Sequence, residues 1–155
     1  MENRIEVLRK HIDEIILNMT DYEERRCAYV HLYGVSQFCA LIALKRNQNA
    51  ELATMAGMLH DFYAYKIMDT VDHDKKGAIL AKETLDLLGI TNEKETELIC
   101  NAISVHCDKK NIHSDFAEIL IDADVMQHNL YNISFSIANH EIERMKNLKN
   151  EFGLS

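Results

Sequence analysis

The chain reads as all-α, a single helical bundle of about six to seven helices. Three observations carry that reading. Proline is absent and only five glycines occur in 155 residues, too few for the turns of an all-β fold and ample for helices. Apolar residues recur three and four positions apart through most of the chain. Ser, Thr, Asp and Asn, the residues that cap helices, stand ahead of several of those periodic segments.

The first helix is expected over about residues 2–18, with Ile5, Leu8, Ile12, Ile15 and Ile16 on one face. Thr20 and Glu23 have capping-box spacing and would open a long second helix, about 21–46. Its inward stripe is Cys27, His31, Gly34, Val35, Phe38 and Ile42. Asn49 caps a third helix, about 50–62, which is nearly all small or apolar and should be central; His60 and Asp61 close it. Residues 63–71 read as a loop or irregular turn. Asp72 caps the fourth helix, about 73–88, and Gly89 suits its stop. Thr91 or Asn92 starts the fifth, which ends near His106 with Leu98, Ile99, Ala102 and Ile103 inward. A polar loop, 107–113, leads to Ser114, the cap of a sixth helix over about 115–131. The inward set there is Phe116, Leu120, Asp124, Gln127 and Tyr131, and a last amphipathic helix covers about 136–152. No repeat, low-complexity stretch or linker interrupts the sequence.

The net charge is −8, from 17 basic and 25 acidic side chains, which disfavours a large nucleic-acid surface. A small anionic substrate is still compatible, because bound divalent cations would make a local site positive. The N-terminus enters an amphipathic segment rather than a signal region, and no uninterrupted apolar run approaches membrane-spanning length. The expectation is a cytoplasmic protein with no membrane association; an oligomer is open. Cys27, Cys39, Cys100 and Cys107 form no Cys-x-x-Cys pair and read as reduced cysteines rather than disulfides or zinc ligands.

His31, His60, Asp61, His73, His106 and Asp124 each sit in or beside an apolar helical segment. Buried imidazoles and carboxylates are costly unless paired or bound to a cation, and a core histidine on its own is commonly a satisfied structural one. Here six such groups would each need a separate partner. His60 and Asp61 are adjacent at a helix end, where both can reach one point. A metal site follows, and its nitrogen and oxygen donors suit a first-row divalent ion.

The order of these residues also resembles the HD-domain superfamily of metal-dependent phosphohydrolases. The matching contexts are Tyr29-Val30-His31, Ala56-Gly57-Met58-Leu59-His60-Asp61 and Asp122-Ala123-Asp124. The resemblance covers about residues 22–131, within a single domain spanning 1–155 whose flanking helices lie at the termini. His73 with Gly77-Ala78, and Ala102-Ile103 followed by His106, are similar to segments of two-metal members. The same order of ligands occurs in bacterial HD-domain diadenosine tetraphosphate hydrolases. The short interval from Asp61 to His73 departs from that group, whose substrate-contacting segment often lies there.

The resemblance implies that His31, His60, Asp61 and Asp124 hold a first metal. Asp61 would bridge to a second, completed by His73 and His106. Iron or manganese is favoured over zinc, nickel, cobalt or magnesium. Catalysis is expected to rest on Asp61 and His60, with a metal-bridged hydroxide attacking the phosphorus of a nucleotide or other small phosphorylated metabolite. Lys76 at a helix start, Lys109 in the loop and His113 are the candidate substrate contacts. His128, one turn after Asp124, is either its orienting partner or a surface residue, while Asp122 points away from it. A di-iron oxygenase of the same fold, or a binding module without catalysis, are the alternatives.

Overall fold

A computed structural model describes residues 3–155, and among these residues there are eight α-helices. They are α1 (Arg4–Leu17), α2 (Tyr22–Lys45), α3 (Ala50–Leu59), α4 (Phe62–Ile67), α5 (His73–Leu88), α6 (Glu93–Val105), α7 (Asp115–Leu130) and α8 (Ile142–Phe152), the last preceded by a 3₁₀ turn, Asn139–Glu141. There is no strand among the described residues. The expected start of the first helix at residue 2 lies outside them.

Capping chemistry sets most boundaries. Asn49, Asn92 and Ser114 each accept a backbone N–H of the first turn, and Asn92 with Glu95 forms a reciprocal capping box. Gly89 ends α5 at φ 62°, a left-handed conformation that glycine adopts without steric cost. Four local expectations differ from the structure. Asp21, not Thr20, caps α2 through the N–H of Glu24, in line with the higher rank of Asp as a cap. Asp72 is itself left-handed (φ 51°) and makes no side-chain cap. The segment expected as a loop holds α4, anchored by Phe62, which is fully buried. The final helix begins later than expected, because Asn132 takes the N–H of Ser134 and the carbonyl of Asn132 that of Phe135, forming a turn.

Helix α2 is the axis of the molecule, with α3 and α7 packed against it. By length and composition alone it is apolar enough to cross a membrane. Here its Leu32, Val35, Cys39 and Ile42 have no solvent exposure and build the core with Leu8 and Ile12 of α1, Met55 and Met58 of α3, Ile99 and Ile103 of α6, and Leu120 and Val125 of α7. Burial of this kind contributes about 1.5–3 kcal/mol per large side chain. Gly57 allows the closest approach: a Cβ there would lie 2.6 Å from the Cα of Ser36. That contact brings the end of α3, and so His60, against the middle of α2, and so His31.

Arginines tie the periphery to this core. Arg4 bridges Glu51 and Glu95 across α1, α3 and α6. Arg144 of α8 pairs with Glu118 and Asp122 of α7 and donates to the carbonyls of Lys109 and Asn111, which pins the loop between α6 and α7.

Candidate metal centre

The elements converge on one point between α2, the α3–α4 junction, the start of α5, the end of α6 and the middle of α7. His31, His60, Asp61, His73, His106 and Asp124 all meet there. His60, His106 and Asp124 are almost wholly buried.

The four histidines share one orientation. The Nδ1–H of His60 donates to the carbonyl of Gly57 at 2.8 Å, that of His73 to Thr70 at 2.9 Å and that of His106 to Ile103 at 2.7 Å. His31 donates Nδ1–H to Oε1 of Gln127 at 2.7 Å. Carbonyl oxygens only accept, so Nδ1 carries the proton and every Nε2 faces the centre. His31 Nε2 and His60 Nε2 stand 3.1 Å apart. Two neutral imidazoles cannot satisfy each other in that arrangement, since lone pair faces lone pair.

Asp61 divides its carboxylate between two histidine pairs. Its Oδ2 lies 3.0 Å from His31 Nε2 and 3.4 Å from His60 Nε2. Its Oδ1 lies 3.1 Å from both His73 Nε2 and His106 Nε2. Asp124 Oδ1 is 3.5 Å from His31 Nε2 and 3.7 Å from His60 Nε2, and among the described buried side-chain atoms it alone has no hydrogen-bond partner. Ligands each about 2.1 Å from a shared cation stand about 3.0–3.4 Å apart at right-angled to tetrahedral geometry. The donor spacing and the orphaned Asp124 oxygen therefore fit a divalent metal, and His31, His60 and Asp61 form one group able to hold an ion.

The electrostatics agree with a cation-seeking centre. Burial pushes the His60 and His106 imidazoles down, but the carboxylates outweigh it and hold both above the ordinary value, Asp61 for both and Asp124 for His60. The hydrogen bond to Asp61 likewise raises His73. Burial would raise Asp61 and Asp124, yet His60 lowers both, joined by His106 and His31 at Asp61 and by Lys109 at Asp124.

Several surrounding residues have roles the sequence reading left unassigned or described otherwise. Lys109, expected as a loop lysine facing substrate, has a side chain only 9% exposed, with Nζ 2.6 Å from Asp124 Oδ2 and 3.1 Å from Glu141 Oε1. It occupies one oxygen of Asp124 and leaves the other turned to the centre. His128 lies between Asp124 Oδ1 (3.2 Å) and Glu141 Oε1 (2.9 Å) and stacks on His31, so it borders the centre although its side chain is 42% exposed. Gln127, one turn beyond Asp124, was legible as inward-facing but not as the partner of His31. Glu141 carried no signal, since the 3₁₀ turn brings it in from a distant part of the chain. Lys76 pairs with Asp69 over the ring of Tyr63, and His113 pairs with Asp108; neither bonds to the six central residues. Asp122 points away, to Arg46 and Arg144. Cys107 lies against His73 and His106, and the four cysteines are free thiols.

A groove beside His31 is walled by Arg26, Val30, Tyr65, Tyr131 and Phe135. Tyr131, expected to face inward, is half exposed at its rim, where its hydroxyl accepts from Arg26 at 3.3 Å.

The family model described as HD domain matches residues 28–129 of this chain. Among solved structures, a predicted HD superfamily hydrolase from an uncultured Thermotogales bacterium is similar in fold, with a TM-score of 0.60 and 20% sequence identity, covering 97% of this chain and 87% of that one.

Proposed function

Since this chain belongs to the HD domain family, we propose that it is a metal-dependent phosphohydrolase acting on a nucleotide or another small phosphorylated metabolite. The observation that carries the proposal is the split carboxylate of Asp61, each oxygen facing its own pair of histidine nitrogens. That arrangement suits two cations held side by side: His31, His60, Asp61 and Asp124 around one, His73, His106 and Asp61 around the other. Divalent ions bound there would acidify a water and neutralise phosphoryl oxygens.

The remaining work falls to the protein. Asp61 sets the spacing of the two positions. Lys109 fixes the Asp124 carboxylate through Oδ2, and Gln127 fixes His31. The groove along Tyr65, Tyr131 and Phe135 offers aromatic faces for the non-phosphate part of a substrate, with Arg26 supplying positive charge at its edge. Those faces favour a nucleotide or a dinucleoside polyphosphate over a small sugar phosphate. Iron or manganese suits the nitrogen and oxygen donors of the first position.

Anaerobic purification, metal analysis and a phosphate-release screen over nucleotides and dinucleoside polyphosphates test this. Release that requires added metal and disappears with chelator is the expected result. Dioxygen uptake with substrate turnover and no phosphate release would overturn it in favour of an oxygenase.

A further inference from the structure

His73 Nε2 and His106 Nε2 have Asp61 Oδ1 on one side and a sulfur on the other. Cys107 Sγ lies 3.4 Å from His73 Nε2 and 3.5 Å from His106 Nε2. With Nδ1–H bound to the Thr70 or Ile103 carbonyl, each imidazole in its neutral, metal-binding form would turn its Nε2 lone pair to the sulfur. A thiol has one weakly donated proton and cannot serve two acceptors. Nitrogen at about 2.0–2.1 Å and sulfur at about 2.3 Å from a shared cation stand about 3.5 Å apart at tetrahedral angles. His73, His106 and Cys107 form one of the groups able to hold an ion.

The placement is built into the backbone. His106 ends α6, and the chain turns at once, with Asp108 N–H bonded to the Val105 carbonyl and Lys109 N–H to that of Cys107. The turn lays Cys107 against the same face as the ring before it. Arg144 holds the turn by the Lys109 carbonyl, and the Lys109 ammonium anchors it to Asp124.

We propose that Cys107 is a ligand of the second metal position, completing with His73, His106 and Asp61 a donor set of two nitrogens, one oxygen and one sulfur. This rests on the two-metal reading above. It makes the positions chemically unequal. The first keeps nitrogen and oxygen donors, while the sulfur of the second selects softer ions, zinc or cobalt(II), over manganese or magnesium. On binding, the thiol proton passes to solvent and the thiolate forms the bond to the metal. The sequence reading of all four cysteines as non-ligating is revised at this one residue.

Cobalt(II) loading under anaerobic conditions tests the assignment, with cobalt counted per chain and the absorption spectrum recorded for wild type, Cys107→Ser and Cys100→Ser. Wild type and Cys100→Ser are expected to bind two cobalt ions and to show a near-ultraviolet sulfur-to-cobalt charge-transfer band. Cys107→Ser should lose the band and bind its second cobalt at least about tenfold more weakly, with the helical circular dichroism retained. Two cobalt ions in wild type without the band, or a band that survives Cys107→Ser, would overturn the role of Cys107 and leave the two-metal reading standing. One cobalt or none in wild type would overturn both.

Discussion

At the scale of single residues, charge and tautomer decide what the centre can hold. Asp61→Asn keeps the shape of the side chain but removes the charge shared by the two histidine pairs. It is expected to yield a helical protein with little bound metal and phosphate release lowered by orders of magnitude. Asp122→Asn is the informative contrast. Asp122 lies two residues from Asp124 but serves Arg46 and Arg144. That variant should keep its metal and lose about 1–3 kcal/mol of stability from the weakened buried pairs. Metal analysis and thermal melts on both separate the two roles, and equal metal loss in both would refute the assignment. Gln127→Leu removes the acceptor for His31 Nδ1–H and should weaken metal binding by about 10–100-fold while the fold persists, measurable by competition with a chromophoric chelator. The six central residues were legible because histidine and aspartate on apolar faces are conspicuous. Lys109 was misleading, because a lysine in a polar loop reads as free to meet a substrate until Asp124 and Glu141 take its ammonium.

At the scale of elements, legibility followed how local the determinant is. The caps at Asn49 and Ser114 and the stop at Gly89 act within one turn and could be read directly, while Asn92 was one of two adjacent candidates with Thr91. Helix α4 could not, since six residues have little helical stability of their own and Phe62 must find its place in the core first. The contact of α2 with α3 at Gly57 was likewise invisible, although it sets the distance between His31 and His60. Gly57→Ala would press a methyl group onto the backbone of Ser36. The variant is expected to lose about 1–3 kcal/mol in denaturant unfolding and to bind metal more weakly. Unchanged stability with unchanged metal affinity would show that the helices separate without cost.

For the whole molecule, the centre joins five segments of chain far apart in sequence, so metal binding and folding are linked. Stripping the protein with chelator should lower its melting temperature. The stripped protein should also acquire a specific pH dependence. His60, His73 and His106 are raised from 6.5 to about 10, 11 and 9 by the carboxylates. A raised histidine contributes stability that is fully present below its unfolded value and is lost as pH climbs through its folded one. The melting temperature of the stripped protein should therefore fall between about pH 7 and pH 11. The loaded protein, whose imidazoles must be neutral to bind metal, should release protons on loading and show a smaller fall. Calorimetric titration of metal in buffers of different ionisation enthalpy measures that release directly, and a zero count would contradict the histidine assignments.

The anchoring of the imidazoles has a consequence for how the sequence can drift. His60, His73 and His106 are each held by a main-chain carbonyl three residues earlier, and a carbonyl is present whatever side chain that position carries. Variation at Thr70 or Ile103 leaves the orientation of the ring untouched as long as the helix end survives. His31 alone depends on a side chain, Gln127. A saturation library selected for metal retention should accordingly be permissive at Thr70 and strict at Gln127, so that the mutational fragility of the centre is concentrated in one glutamine.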